Sequence, residues 1–195
     1  MSNNLSFNSE LYRKIIHLSS SIIALLIWIY GKELMLPILI AASIIFPLLD
    51  YLRRYIYILK LIYLKIFNTV TRPHEHFILS GASWVFIGSG LSLLIYNEQI
   101  AIISILVLSI SDSLAAIIGL KYGRTKLFNK TLEGSLAFCI SASIIILAFS
   151  NKLYLINLLA IFAATFIELY QFKNINDNLS IPLVTGAVLS IGFII

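Results

Sequence analysis

The chain has 195 residues, of which 59% are hydrophobic and only 12% charged, and its mean hydropathy is +0.96. Soluble domains run at about 45–50% apolar and about 25% charged, so this composition excludes a water-soluble globule, a disordered segment and a coiled coil. The 14 Lys and Arg exceed the 9 Asp and Glu to leave a net charge of +5, which in so apolar a chain reports membrane sidedness rather than affinity for nucleic acid.

The first apolar run, Ile15–Tyr30, follows Arg13 and Lys14 as a signal peptide would. No small-residue cleavage site closes it before Lys32, so it reads as a retained span. Glu10, Arg13, Lys14 and His17 are spaced so that they largely share one helix face at its start. Gly31–Glu33 leaves room only for a tight hairpin into the second run, Leu34–Leu49. Tyr51–Asn68 is apolar too, but on a helix its Arg53, Arg54, Lys60 and Lys65 fall within about 140° of one another. That pattern predicts an amphipathic helix lying flat on the cytoplasmic surface.

Runs at Phe77–Tyr96, Ile100–Leu120, Leu136–Ser150, Leu153–Leu169 and Leu179–Ile195 bring the total to about seven spans. Several are close to the minimum of about 17–25 residues. Cys139 lies inside one of them and reads as a buried thiol. Without repeats or a long linker, residues 1–195 are expected to form a single all-α transmembrane bundle. With the amino terminus inside, all but Lys32 and Lys152 of the 14 Lys and Arg fall on one side. The positive-inside rule then predicts a cytoplasmic amino terminus and a carboxyl terminus on the outer face. The acids follow the same division, only Glu33 and Glu98 lying outside. Transport needs polar groups through the full thickness, and the outer half offers almost none.

Asp112 sits about 12 Å inside the nominal end of its helix, where an unpaired carboxylate costs several kcal/mol. Ala115, Gly119, Gly123 and Lys126 follow on the same face if the helix continues. Packing accounts for the small residues but not for the acid. Next comes KYGRTKLFNKTLEGS, Lys121–Ser135, whose cations, glycines and hydroxyls suit an anion bearing several phosphates. It is not a GxxxxGK[ST] loop, and the alternative is contact with anionic lipid headgroups. Phosphate chemistry usually needs a divalent metal and a carboxylate to hold it, which favours the first reading beside Asp112. His74, Glu75 and His76 resemble a metal cluster, but residues two apart on a helix diverge by about 200°, which disfavours zinc. Glu75, beside Arg72, is a better candidate as an ion-pair partner or metal ligand. Glu168, Asp177 and Asn178 either complete an acidic site or cap two helix ends.

The segments ELYRKIIH (Glu10–His17), RPHEHFILSGA (Arg72–Ala82), SDSLAAIIGLKYGRTK (Ser111–Lys126), KTLEGS (Lys130–Ser135) and DNLSIPL (Asp177–Leu183) stand in an order that resembles the dolichol kinase and phytol kinase family. These are multi-pass enzymes that phosphorylate lipid alcohols, typically with CTP, and they include CTP-dependent diacylglycerol kinases. The resemblance implies a CTP-binding segment at Asp112, Gly119, Gly123, Arg124, Lys126, Lys130, Thr131, Glu133, Gly134 and Ser135, with Thr131 where serine is common. It implies further polar positions at Arg13, Lys14, His17, Glu75, Glu168, Asp177 and Asn178. The expected chemistry is phosphoryl transfer to a lipid hydroxyl in a prokaryotic cell membrane. In it Asp112, Glu168 and Asp177 would serve as ligands for Mg²⁺, and His17 or Glu75 would serve as base. The runner-up is a CTP:phosphatidate cytidylyltransferase, whose longer histidine-glycine-glycine signature this sequence lacks. A membrane scaffold or transporter is the non-enzymatic alternative.

Overall fold

The computed structural model describes residues 7–71, 79–128, 130–150, 155–170 and 175–194, with residues 193 and 194 described by their backbone alone. The helices are α1 (Phe7–Ser19), α2 (Ser21–Leu52), α3 (Tyr57–Phe67), α4 (Gly81–Ile95), α5 (Glu98–Leu106), α6 (Asp112–Tyr122), α7 (Leu132–Phe149), α8 (Leu155–Tyr170) and α9 (Asp177–Ile194). Two short strands, β1 (Lys126–Leu127) and β2 (Lys130–Thr131), pair antiparallel between α6 and α7. The architecture is the expected all-α membrane bundle. Phe7–Leu52, Glu98–Tyr122 and Leu132–Phe149 are long and apolar enough to cross a bilayer, while Gly81–Ile95 and Leu155–Tyr170 are apolar but shorter.

Side-chain caps fix several helix starts. Ser80, Asn97 and Thr131 accept the backbone N–H of Ser83, Ile100 and Gly134 at 3.4, 2.9 and 3.2 Å, each satisfying a donor that the first helical turn leaves open. The Asn97 cap makes α4 and α5 a tight hairpin.

Phe7–Leu52 is not one continuous crossing. Lys32 donates its backbone N–H to Glu98 Oε2 at 2.6 Å and its ammonium to the Tyr96 carbonyl at 2.6 Å, both at the α4–α5 turn. Asp50 accepts from Ser80 and Lys14 pairs with Asp112, both at the far ends of those helices. The chain therefore runs up along α5–α6 from Lys14 and back down along α4 from Lys32. It reverses at Gly31, whose φ of 78° and ψ of 164° break the helix within α2. That region of backbone space is essentially confined to glycine, and it supplies the hairpin read from the sequence.

The interior inverts the pattern of a soluble protein. Trp28, Ile44, Ile144 and Phe162 are more than half exposed on the outside, whereas Ser89, Ser104, Ser109 and Ser113 are fully buried. Small residues let helices approach closely in an apolar solvent. Many hydroxyls bond the carbonyl one turn earlier, as Ser109, Ser141, Thr165 and Thr185 do at 2.7–2.9 Å. Ile27, Leu39, Leu93 and Ile105 form one apolar cluster, and Leu108, Phe138, Ile146 and Ile181 form another. A π-helical turn at Val107–Ser111 joins α5 to α6 just ahead of Asp112.

The surface helix is shorter than expected. At 11 residues, α3 rises about 16 Å and cannot span a hydrocarbon core of about 30 Å. Arg53 is not on its polar face as the sequence suggested. It lies in the preceding turn, buried, paired with Asp50 at 3.2 Å and stacked 3.6 Å over the Tyr63 ring.

Candidate active site

Helix α1 delivers the first part of the site. Its shared face forms as read: Arg13 Nε meets Glu10 Oε2 at 3.1 Å, and one turn on, Lys14 and His17 both reach Asp112. Lys14 Nζ donates to Asp112 Oδ2 at 2.5 Å, and His17 Nε2 lies 3.3 Å from the same oxygen. Ser113 ties the backbones by donating to the Lys14 carbonyl at 3.2 Å. Asp112 is 3% exposed. An isolated carboxylate so placed would be prohibitive, and α1 supplies the compensating charge.

The second part comes from the β1–β2 hairpin. Lys130 Nζ lies 3.0 Å from Glu168 Oε1 on α8 and 3.6 Å from Asp177 Oδ2 on α9. Ser135, on the first turn of α7, donates to Glu168 Oε2 at 3.0 Å. Burial opposes the charge on Lys130, but the Asp112, Glu168 and Asp177 carboxylates outweigh it and raise its pKa above the ordinary lysine value.

These groups open onto one cleft of about 1480 Å³. Its charged part holds Glu10, Arg13, Lys14, His17, Asp112, Lys126, Lys130, Glu168 and Asp177, and Gly119, Thr131, Gly134 and Asn178 also line it. Its other walls are apolar: Ile16, Ile22 and Ile23 from the first pass, Tyr63, Phe67 and Val70 from and beside α3, and Val85 and Phe86 from α4. A ligand with an ionic head and an apolar body matches such a cavity.

Several expected placements change. Lys126 is not on the Asp112 helix face, because α6 stops at Tyr122 and Gly123 leaves helical geometry; Lys126 reaches the cleft from β1 instead. The glycines are packing contacts before anything else. A Cβ on Gly119 would stand 2.8 Å from Thr131 Oγ1, and one on Gly134 would stand 2.8 Å from the Ala115 carbonyl. Gly123 packs on Thr131 and lies off the cleft. Arg124 is exposed and also lies off it. Glu133 accepts from the Thr125 N–H at 3.2 Å and braces the hairpin. Glu75 falls outside the described residues. Replacing Gly119 with valine should force α6 from the hairpin and cost about 1–3 kcal/mol. A lowered thermal midpoint in detergent would register it.

The three proposed metal ligands do not converge. Among the described residues no three His, Cys, Asp or Glu side chains are placed to hold an ion, and Glu168 and Asp177 are turned to Lys130. What fits is a lighter arrangement. Asp112 Oδ1 makes no hydrogen bond or ion pair among the described residues, Lys14 and His17 both meeting Oδ2. Magnesium commonly takes one or two protein carboxylates and completes its shell with phosphates and water.

Sequence reasoning missed a polar lock beneath the cleft. Asp50 accepts from Ser80 N at 2.7 Å and Ser83 Oγ at 2.5 Å, pairs with Arg53, and so holds the start of α4. Thr71 donates to Tyr63 Oη at 3.0 Å and closes the loop that carries α3. The available signal was an acid closing an apolar run with arginine three residues on.

Fold and site together define a helical integral membrane protein with a charged cleft at one end of the bundle. The chain belongs to one family with two compact proteins of similar length. An uncharacterized protein of Rickettsia prowazekii is 32% identical over 186 residues, 91% of each chain. An uncharacterized protein of Methanocaldococcus jannaschii is 34% identical over 186 residues, 93% of each. The chain is also distantly homologous to CTP-dependent diacylglycerol kinase 1 of Saccharomyces cerevisiae, at 31% identity over 134 residues, covering 66% of this chain and 46% of that enzyme. Dolichol kinase of the same yeast is 34% identical over 121 residues, covering 57% of this chain and 22% of the kinase. The matched part is thus less than half of either yeast kinase. No family model matches the chain, and no solved structure does.

Proposed function

We propose that the protein is a lipid kinase that transfers the γ-phosphoryl group of CTP to the hydroxyl of a membrane lipid. The observation that carries this reading is the Lys14–Asp112–His17 cluster at the base of a cleft with both charged and apolar walls. Distant homology to two yeast lipid kinases supports it. Lys126 and Lys130 border the charged part and would take the phosphates, while the apolar walls would take the lipid body with its hydroxyl at the boundary. In-line phosphoryl transfer asks mainly for alignment and charge stabilisation.

In this reading the lipid oxygen attacks the γ-phosphorus, the bond to the β-phosphate oxygen breaks, and CDP leaves. The hydroxyl proton passes to His17 Nε2, a buried nitrogen with no hydrogen-bond partner among the described residues. Lys14 holds Asp112 in place through Oδ2, the oxygen that His17 also faces. Magnesium brought in by the nucleotide would neutralise phosphate charge, with Asp112 Oδ1 as its protein ligand. The clustering of cations at this end supports a site on the cytoplasmic face, by the positive-inside rule.

The test is incubation of purified protein in mixed micelles with CTP labelled at the γ-position and phytol, a polyprenol or dioleoylglycerol. A labelled lipid phosphate with stoichiometric CDP is the expected result. Release of pyrophosphate with a CMP-bearing lipid would reassign the protein as a cytidylyltransferase. Absence of turnover with every acceptor would defeat the enzymatic reading.

A further inference from the structure

Glu168 is the only charged residue of α8, LINLLAIFAATFIELY, and it is 1% exposed. A carboxylate in such surroundings persists only when both oxygens are compensated. They are, and by two points of one segment: Oε1 meets Lys130 Nζ on β2 at 3.0 Å, and Oε2 accepts from Ser135 Oγ on α7 at 3.0 Å. Neither oxygen is available to a metal unless one of these contacts opens. Lys130 has three N–H donors. Glu168 and Asp177 draw the ammonium to one side, at 3.0 and 3.6 Å, while its residue lines the cleft.

Resting on the kinase reading, we propose that Glu168 is a positioning residue that holds the Lys130 ammonium in the pose that meets the phosphates of the incoming nucleotide. A lysine has a flexible four-carbon stem and loses much freedom when it grips a ligand. Fixing it beforehand removes part of that loss from the binding step. Ser135 keeps the carboxylate turned, and Asp177 is the second stay. The arrangement accepts partial neutralisation of a phosphate-binding cation in return for a defined direction.

The two effects have opposite signs in a Glu168→Gln variant. Losing the positioning weakens CTP binding; losing the negative charge strengthens it. Positioning predicts a KM for CTP raised about tenfold, as for one charge-assisted contact, with kcat and the KM for the lipid within about threefold. Calorimetric titration of CTP into the solubilised variant should show the same weakening, so the result does not rest on turnover alone. Ser135→Ala, which leaves every charge in place, should move the CTP constant the same way by a smaller factor. In a Lys130→Met background, adding Glu168→Gln should no longer weaken CTP binding, because only the loss of negative charge is left to act. A KM for CTP that falls or stays put, or a shift in the magnesium requirement with CTP affinity unchanged, would overturn the positioning role. Wild-type protein that neither binds nor turns over CTP would instead overturn the kinase reading, so the two failures are distinct.

Discussion

Asp112→Asn should lose transfer activity by at least about 10²–10³-fold, the scale seen when one preorganised electrostatic contact is removed from an active site, while the protein still inserts and folds. The amide keeps the volume of the side chain and removes only its charge. In the proposed mechanism this deprives the magnesium ion of its protein ligand and His17 of its neighbouring anion, 3.3 Å away. It also strands the Lys14 ammonium, whose side chain is 12% exposed, so some loss of stability accompanies the loss of activity. A second substitution separates the two. Asp112→Asn with Lys14→Met removes both charges, and its thermal midpoint should recover toward wild type while activity stays absent. Turnover near wild type in Asp112→Asn would remove the residue from the chemistry.

The largest stability effect is expected away from the Lys14–Asp112–His17 cluster, at Asp50. Asp50→Ala takes the acceptor from Ser80 N and Ser83 Oγ and the carboxylate partner from Arg53, which is 5% exposed. Breaking a buried pair from one side costs about 3–5 kcal/mol, because desolvated donors are left behind. Asp50→Asn keeps an oxygen for the two donors and loses only the charge, so it should be milder. Thermal unfolding in detergent orders the three proteins. Limited proteolysis between residues 53 and 71 should quicken in Asp50→Ala, since Arg53 stacks on Tyr63 and helps seat α3. An unaltered midpoint and cleavage rate would show that the lock contributes nothing.

What was legible in the sequence was local in character. The α1 face of Glu10, Arg13, Lys14 and His17 follows from spacing alone, and the structure presents it intact to the cleft. Gly31 between two apolar runs marked a hairpin, and its positive φ supplies one. Asp112 stood out because a carboxylate far inside an apolar run must have partners, although the sequence did not name them.

Partners distant in sequence were not legible. Lys14 and Asp112 are 98 positions apart, and Ser135 and Glu168 are 33 apart; which helices meet depends on packing. In a bilayer the outer face is as apolar as the core, so the helical stripe that would orient each helix is nearly absent. Arg53 was read with Arg54, Lys60 and Lys65 because all are cationic, yet the break ahead of α3 separates it from that face. Lys126 was projected onto a helix that ends four residues earlier. Glu168 and Asp177 were grouped with Asp112 as ligands, whereas Lys130 claims them both.

The π-helical turn at Val107–Ser111 sets the phase of everything after it. Such a turn accommodates one residue more than a regular helix would, and at 3.6 residues per turn one residue is about 100° of rotation. Straightening it would swing Asp112 about a quarter-turn around its own axis, away from Lys14 and His17, with every other contact of α5 unchanged. The meeting of Asp112 with Lys14 and His17 is therefore written as a count of residues between the α4–α5 turn and Ser111, so a one-residue deletion there would misalign the cluster where many side-chain replacements would leave it in register.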